Sequence, residues 1–597
     1  MFLSVAMARM EVCPNTAAST AIDARNTGFQ LRTSMQASWP FAFVIALCIV
    51  LWAPRLKGPI DLRWDASLYY LLGTSLATGQ GYRILSEPGA PEAIQYPPLL
   101  PGIIALYERA LGSSDPAVVG PWLRRSYAAL FLVYGVLVLM LARKYLRPLF
   151  AVAAAVLCLL HHSTIFLSDV LFTELPFGLV SVAFVLWAGN ATNKQWLWWR
   201  DVVSFVLATA GFLLRTAGIV LFVAWIFEAV VRRRWQLAIA RFFPALLPIV
   251  LWQAHIARVH GSDEYHHPAY EYQRASYQFY NVSYADNVSL KDPLRPELGR
   301  LSGSAMAMRI AKNFPFVVLA MGETISAGDF YWRKPMSELQ NLVFGRQLVP
   351  VGFVWAPILG FAILALLGLI LLAQRGAWLI TLIVLSSVGL ICTTPWRFQF
   401  ARYLAPMAPL LTTAFVFALC QAARLFQCGK PAASFQSKLT RGAPAVLLVS
   451  ILALQSYSAW QLFEERARDG ASFVTGRGAV GTHFFYYGQP WLGWARAVDW
   501  VSKHSTPDAI VATSASHYCY LSIGRRAVGP PLEADAERAR RLLEAVPVSY
   551  VIVDNMPPPN VPRRYALPAM ETDTTNWRLS YISESTKLFV HTGGGNQ

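Results

Sequence analysis

Three acidic side chains lie next to long apolar stretches, at points where a carboxylate could act on a membrane-bound substrate. Asp65 lies in the segment WDASLYY, and Asp169 and Glu174 lie in SDVLFTELP. A carboxylate held at the membrane–water boundary can take the proton of a hydroxyl group and make that group a nucleophile. Acidic side chains at membrane depth are costly, and they are usually functional or paired. These three residues are therefore the candidate catalytic groups.

Each of the three acids also has a purely structural alternative. Asp65 is predicted to lie in the first turn of a helix, where the helix dipole favours a carboxylate and where Asp is a common capping residue. For Asp169 and Glu174 the alternative is ordinary solvation at the membrane interface.

Three arginines are candidate ligands for a phosphate group. Arg83 follows GQGY, Arg215 begins RTAG and Arg402 begins RYLAP, and the last two lie at the ends of apolar stretches. The planar guanidinium can bind phosphate through two parallel hydrogen bonds. An arginine at such a position can also extend to the water without any further role.

The histidines and cysteines predict no metal site. His161 and His162 are adjacent, so on a helix they point to different faces, and the histidines between 255 and 267 match no standard ligand spacing. The seven cysteines include no CxxC pair. A divalent cation is left as a possibility at Asp169 and Glu174, since carboxylates can bind one.

The segment that carries Asp65 is predicted to be a helix over residues 64–78. Its apolar residues recur at spacings of three and four, which is the pattern of an amphipathic helix. They are Trp64, Leu68, Leu71, Leu72 and Leu76. Such a helix after a membrane span is expected to lie in the lipid headgroup plane. Gly79 and Gly81 end it, and YPPLLP leads in extended form to the next apolar segment.

The composition indicates an integral membrane protein. Of the 597 residues, 55% are hydrophobic and only 14% are charged, whereas a soluble domain carries roughly 25% charged residues. The net charge of +17 is explained by basic loops on the cytoplasmic side, so nucleic acid is not expected as a partner.

Hydropathy predicts an α-helical polytopic protein with about 11–13 transmembrane helices. The basic turns place the N-terminus inside and the C-terminus outside, with Arg124 and Arg125 as an exception on the outer side. Segments 99–111 and 313–328 are weaker and are left open as spans or re-entrant segments. The strong spans are 39–54, 126–145, 148–167, 171–189, 202–214, 216–231, 241–259, 349–373, 377–393, 403–422 and 443–461.

The chain divides into three parts. Residues 1–38 are predicted to be a disordered cytoplasmic leader, and 39–461 a transmembrane module with outer loops 55–125 and 260–345. Residues 462–597 read as an exported α/β domain, because helical and strand patterns alternate there. No glycine-rich phosphate-binding motif follows its strands, so we expect a lid or an acceptor-binding wall rather than a nucleotide site.

The order of these motifs resembles the GT-C membrane glycosyltransferases, in the branch of protein O-mannosyltransferases and lipid A aminoarabinose transferases. The resemblance implies a GT-C-like fold and a polyprenyl-phosphate sugar donor. Asp65 matches the acidic position of the outer loop, and Asp169 or Glu174 matches the second acidic position. The chain departs from the first group at Ala66, where a second acid is expected, and from the other at Gln95-Tyr96, where that group has Glu-Lys.

The expected function is sugar transfer on the outer face of a bacterial inner membrane. Asp65 would be the base of an inverting single displacement, and Arg83, Arg215 or Arg402 would bind the lipid phosphate. Asp169 and Glu174 would orient the acceptor, which is an envelope glycan, lipid or protein, or hold a cation. The alternatives are a transporter or lipid flippase, which would be expected to show inverted repeats or broken mid-membrane helices, and a non-catalytic assembly or sensing protein.

Overall fold

The structure is a computed structural model that describes residues 27–189, 198–345, 350–427, 435–475, 478–556 and 560–593. Up to residue 468 the regular elements are helices. They are α1 (Thr27–Trp52), α2 (Asp65–Ala77), α3 (Leu99–Leu111), α4 (Pro116–Tyr145), α5 (Pro148–Leu160), α6 (His162–Asp169), α7 (Glu174–Ala188), α8 (Trp198–Leu214), α9 (Ile219–Val231), α10 (Trp235–His260), α11 (Asp263–His266), α12 (Tyr284–Val288), α13 (Gly303–Ile325), α14 (Asp329–Phe344), α15 (Trp355–Gln374), α16 (Trp378–Cys392), α17 (Phe400–Leu404), α18 (Ala408–Gln427) and α19 (Phe435–Arg468).

The predicted polytopic helical fold is confirmed, because the predicted spans coincide largely with helices of the described residues, although 148–167 is divided between α5 and α6. Six helices in the described part are long and apolar enough to cross a membrane, and a seventh span results if α5 and α6, bent by 54°, are taken together. Shorter apolar helices lie at Glu174–Ala188, Thr216–Val231 and Trp378–Cys392. The weaker segment 313–328 falls largely within α13, which packs against α15, α16 and α18.

The predicted leader stays a prediction for residues 1–26, which lie outside the described residues. The first helix begins at Thr27, before the start of the predicted span at residue 39. The helical backbone therefore extends into the segment that was predicted to be leader.

The helix that carries Asp65 has nearly the predicted bounds but not the predicted environment. Leu68, Tyr70, Leu71 and Leu72 of α2 are all fully buried. Helix α3 packs across α2 at Gly73, where an added Cβ would lie 2.6 Å from the Ile104 Cγ2 atom. The prediction of an amphipathic helix is therefore wrong, since α2 is covered on several sides by protein, while its place in the headgroup plane stays a prediction.

The predicted C-terminal α/β domain is confirmed. Its five-stranded sheet has the order β4-β3-β5-β7-β6, with parallel pairing from β4 to β5 and antiparallel pairing from β5 to β6, and β1 and β2 form a separate antiparallel pair. The elements are β1 (Gly470–Thr475), β2 (Gly478–His483), α20 (Gln489–His504), β3 (Ile510–Ala512), α21 (Ser516–Ile523), β4 (Ala527–Val528), α22 (Ala536–Glu544), β5 (Val548–Val553), α23 (Leu567–Thr572), β6 (Trp577–Ser583) and β7 (Thr586–His591).

Buried polar contacts fix this domain against the segment before α2. The Arg63 guanidinium donates to the backbone oxygens of Phe485 and Tyr486, at 2.5 and 3.0 Å. Its charge is balanced by Asp61, with 2.7 Å between the Arg63 Nη2 and Asp61 Oδ2 atoms. A buried guanidinium is stable only when its donors and its charge are satisfied. These contacts hold the C-terminal domain directly against the segment at the start of α2.

Candidate active site

A cavity of about 470 Å³ lies between the membrane helices, the 261–302 loop and the C-terminal domain. Several separate parts of the chain supply its polar walls, and aromatic side chains supply much of the rest. The polar and charged lining residues used below are Asp65, Arg215, Tyr280, Arg402, Ser514 and His517. A cavity of this size, mostly apolar and with a few convergent polar groups, is typical of a ligand site.

Asp65 is the carboxylate that lines this cavity. It is the first residue of α2, and its side chain is 16% exposed. The Oδ2 atom accepts a hydrogen bond of 2.7 Å from Arg402 Nη2, and the Oδ1 atom accepts one of 3.0 Å from the Tyr280 hydroxyl. The carboxylate is therefore directed across the cavity, between two donors from distant parts of the chain.

The backbone immediately before Asp65 is strained. Trp64 has a φ of 57°, and positive φ is rare for a bulky residue. Its ring is fixed by edge contacts with Phe166 and Trp491, both at 5.7 Å between ring centroids. Strained residues persist only where their surroundings fix them, and they are found often at functional sites. Here the turn determines where α2 begins and hence where the Asp65 carboxylate lies.

Two arginines face the cavity around one buried glutamate. The Arg402 Nε atom is 2.7 Å from Glu174 Oε1, and the Arg215 Nη1 atom is 3.1 Å from the same oxygen. Together with Asp65 these residues form a group of two cations and two anions. Glu174 itself is only 2% exposed and lies behind the arginines. It balances their charge and fixes their position.

Arg215 holds a buried donor that lacks a hydrogen-bond partner among the described residues. Its contact with Glu174 is close enough for an ion pair, but Arg215 Nη1 has no hydrogen-bond partner in the part of the chain that the structure describes. The side chain is 18% exposed and lines the cavity. A buried donor without a partner is costly, so an anion that enters the cavity would be stabilised here.

Two further polar residues of the cavity were not found from the sequence. The burial of the Tyr280 ring raises the pKa of its hydroxyl well above the usual value, so Tyr280 stays a donor to Asp65. Burial also lowers the pKa of His517 to about 4, and its imidazole is therefore neutral at pH 7. His517 Nδ1 lies 2.7 Å from Ser86 Oγ, and Nε2 has no hydrogen-bond partner among the described residues. No local pattern marks either residue.

Asp169 lies outside the cavity lining, in a buried cluster of its own. Its carboxylate is 1% exposed and lies 3.1 Å from Arg124 Nη1 and 3.5 Å from Arg466 Nη2. The cluster joins the end of α6 to α4 and α19. It also accounts for Arg124, one of the two arginines that depart from the predicted charge pattern, since Arg124 is the partner of Asp169. We therefore assign Asp169 no part in the chemistry proposed below.

Substitution of Asp169 is expected to destabilise the fold. Asp169→Ala leaves two buried guanidinium groups without their anion, and breaking a buried pair in this way costs about 3–5 kcal/mol. Thermal unfolding in detergent should therefore shift to clearly lower temperature. The matched control is Asp499→Ala, because Asp499 forms an exposed pair with Lys503 and such pairs contribute about 0–1 kcal/mol. Equal unfolding temperatures for the two variants would contradict the structural role.

Arg83 is also placed away from the cavity. It lies 2.9 Å from Glu264 and 3.7 Å from Glu92, and it ties the loop after α2 to α11. Of the three arginines predicted from the sequence to bind phosphate, only Arg215 and Arg402 reach the cavity.

No group of three or more His, Cys, Asp and Glu side chains suited to a metal ion occurs in the described ranges. His161 and His162 lie at the break between α5 and α6, with His161 Nε2 2.9 Å from the backbone oxygen of Glu323. The Arg402 guanidinium lies between the Asp65 and Glu174 carboxylates and contacts both of them.

Comparison with known proteins identifies the fold. No family sequence model and no curated protein sequence matches the chain. Among solved structures, the archaeal oligosaccharyltransferase AglB from Archaeoglobus fulgidus, in complex with an inhibitory peptide and a dolichol-phosphate, superposes with a TM-score of 0.50 at 11% identity, over 86% of this chain and 68% of that one. ArnT from Cupriavidus metallidurans, bound to undecaprenyl phosphate, superposes with a TM-score of 0.48 at 12% identity, over 94% of this chain and 100% of that one. The superposition on AglB confirms the predicted GT-C-like fold.

Proposed function

We propose that this protein is an integral membrane glycosyltransferase that moves a sugar from a polyprenyl-phosphate donor to an acceptor hydroxyl in the cavity described above. The observation that carries the proposal is the position of the Asp65 carboxylate on the same cavity as Arg215 and Arg402. The shared GT-C fold supports it, and so does the dolichol-phosphate bound in the AglB structure, which is a lipid of this chemical class.

The donor phosphate is proposed to bind at Arg215 and Arg402. Both guanidinium groups line the cavity, and their charges are fixed in place by Glu174 before any ligand enters. The phosphate would take the Arg402 Nη2 donor that now contacts Asp65 Oδ2 at 2.7 Å. Oδ2 is then free to accept the proton of the incoming acceptor. Binding of the donor would thereby prepare the base.

The transfer step is a single displacement. The acceptor oxygen forms a bond to the anomeric carbon of the sugar, and its proton passes to Asp65 Oδ2. The bond between the anomeric carbon and the phosphate oxygen breaks, and the electron pair leaves with the lipid phosphate. The growing negative charge on that phosphate is met by Arg215 and Arg402, which are already oriented toward it. The attack from the opposite side inverts the anomeric configuration.

The C-terminal domain and the 261–302 loop are proposed to position the sugar and the acceptor. The C-terminal domain contributes Ser514 and His517 to the cavity lining, and the 261–302 loop contributes Tyr280. The neutral His517 Nε2 atom can exchange a hydrogen bond with a sugar hydroxyl. Aromatic faces in the wall can pack on the apolar face of a sugar ring. The domain would thus form part of the binding site.

The cavity is proposed to open on the outer side of a bacterial inner membrane. The predicted inside turns are basic, and the cavity lies at the opposite ends of the helices. Because the donor is already activated as a phosphodiester, this reaction would need no nucleotide on that side. The acceptor is an envelope glycan, lipid or protein that carries a free hydroxyl.

The test is sugar transfer by the purified protein in liposomes supplied with a synthetic polyprenyl-phosphate sugar. We expect the free polyprenyl phosphate to accumulate in proportion to a glycosylated product of inverted configuration. Movement of the intact lipid across the bilayer with no cleavage of the sugar–phosphate bond would instead support the flippase alternative. Retained configuration in the product would contradict the single displacement.

A further inference from the structure

A second cavity, of about 530 Å³, lies beside the first. The two share Leu294, Trp396 and Phe398 as lining residues. The Trp396 ring packs against Phe279 of the first cavity at 5.7 Å and against Phe398 at 6.0 Å between ring centroids. This second cavity, called the basic groove below, is thus separated from the reaction site by a thin aromatic wall.

The basic groove carries an excess of positive charge. It is lined by Lys291, Arg309, Lys312 and Arg397, with Asp292 as its one lining acid. None of these four basic side chains pairs with a carboxylate within the part of the chain that the structure describes. Unpaired cations gathered in one concave surface attract an anion.

The four cations are not equivalent. Arg309 donates to the backbone oxygens of Val288, Leu290 and Lys291, so it holds the groove together. Arg397 uses Nε for a 2.9 Å hydrogen bond to Asn313 Oδ1.

Lys291 and Lys312 are exposed, and their ammonium groups make no contact with a hydrogen-bond partner in the described ranges. These two lysines and the outer face of Arg397 are therefore available to a ligand.

The position of the groove indicates a ligand that belongs to the membrane. The turn that carries Arg397 joins the apolar helix Trp378–Cys392 to the span Arg397–Leu425, so it lies at the membrane edge. Helix α13 continues from the groove with exposed Met308, Phe314 and Phe316. A phospholipid could place its phosphate in the basic groove and its acyl chains along these apolar side chains, and so cover both surfaces. A soluble anion would fill the groove but leave the apolar surface uncovered.

We propose that the basic groove binds the phosphate head group of an anionic phospholipid of the surrounding bilayer. This lipid is neither the donor nor the acceptor of the proposed transfer. Asn313 of α13 already holds the turn before Arg397 through 2.9 Å hydrogen bonds to the backbone oxygens of Cys392 and Thr394. The bound phosphate would hold the same turn in addition. That turn leads directly to Arg402, so the bound lipid would stabilise one wall of the reaction cavity.

The test measures bound lipid and needs no transfer activity. The full-length protein is placed in nanodiscs of phosphatidylcholine with phosphatidylglycerol, and the phosphatidylglycerol that it retains is counted by native mass spectrometry. Lys291→Gln/Lys312→Gln removes two exposed charges without breaking a contact that holds the fold. Since each cation near an anionic lipid contributes roughly fivefold to binding, we expect retention to be weakened by about tenfold or more. Arg397→Gln should weaken it further.

The matched control is Lys57→Gln/Arg125→Gln, which removes two exposed charges from the same side of the membrane but outside the groove. It should retain phosphatidylglycerol like the unaltered protein. Equal loss in both double variants, or no loss in either, would overturn the proposal.

Two competition measurements distinguish other occupants. Displacement of phosphatidylglycerol by polyprenyl phosphate would make the groove part of the donor path, and displacement by inorganic phosphate alone would make it a site for a soluble anion. Either result would overturn the assignment to a bilayer lipid. Retention against both would support it, whatever the outcome of the transfer assay.

Discussion

Asp65→Asn is expected to slow sugar transfer by orders of magnitude while leaving the fold intact. Asn has nearly the same size, and its side-chain oxygen can still accept from Tyr280 or Arg402, but it cannot take the proton of an acceptor hydroxyl. Loss of a general base costs on the order of 10²–10⁴-fold in rate. The measurement is turnover with a polyprenyl-phosphate sugar donor in liposomes, normalised to the amount of folded protein.

Two further variants make this result specific. Asp65→Glu keeps the acid but extends it by one methylene, so partial activity is expected if the position of the carboxylate matters. Asp263→Asn is the control, because Asp263 lies after α10 with its side chain 93% exposed and should leave turnover unchanged. Well-folded Asp65→Asn with near-normal turnover would reduce Asp65 to a charge partner of Arg402. Another group of the cavity would then have to serve as the base.

The membrane helices could be predicted because their cause is local. A long apolar stretch must form its hydrogen bonds within itself when it lies in lipid, so hydropathy alone locates the helix. The environment of α2 could not be predicted in this way. Its Leu68 and Leu72 pack with Ile84 and Ala93 from the following loop, and α21 of the distant C-terminal domain also packs on it. The spacing of apolar residues within the α2 sequence gives no information about such distant packing partners.

The same distinction applies to the site. Asp65, Arg215 and Arg402 were predicted from their positions at the ends of apolar segments, and the structure brings them to one cavity. Asp169 and Glu174 were expected to act together, but the chain reverses between them. Asp169 ends α6 and Glu174 begins α7, so their side chains enter different clusters. Tyr280 and His517 come from a loop and from the tail, where residue type alone gives no indication of the cavity.

The position of Arg402 between two carboxylates makes it the second critical residue. It contacts Asp65 and Glu174 at 2.7 Å each, through different nitrogens, and its guanidinium lies 4.2 Å from the centre of the Phe172 ring. Only a planar guanidinium, with its several N–H donors, can contact both carboxylates and still present donors to a phosphate. Arg402→Gln would remove the positive charge that contacts both Asp65 and Glu174. A loss of activity in this variant could then result from a folding defect as well as from a catalytic defect.

Arg402→Lys is therefore the informative change. It keeps the positive charge near both acids, but a single ammonium cannot span them and also stabilise a leaving phosphate. We expect turnover to fall by about 10²–10³-fold, the usual effect of removing a donor that stabilises developing charge. The KM for the donor should rise as well, because ground-state binding of the phosphate uses the same guanidinium. Steady-state kinetics with varied donor concentration separate the two effects.

Arg215→Lys and Arg83→Lys complete the comparison. Arg215 shares Glu174 with Arg402, and its Nη1 donor lacks a hydrogen-bond partner in the described part, so its replacement should raise the KM for the donor. Arg83 lies outside the cavity in a pair with Glu264, and Arg83→Lys should leave both constants unchanged. If Arg402→Lys and Arg215→Lys fold normally and keep normal kinetics, the phosphate does not bind at this pair. A transfer reaction with Asp65 as the base would then need another group to stabilise the departing phosphate. Removal of the acceptor's proton does not itself neutralise the negative charge on that phosphate.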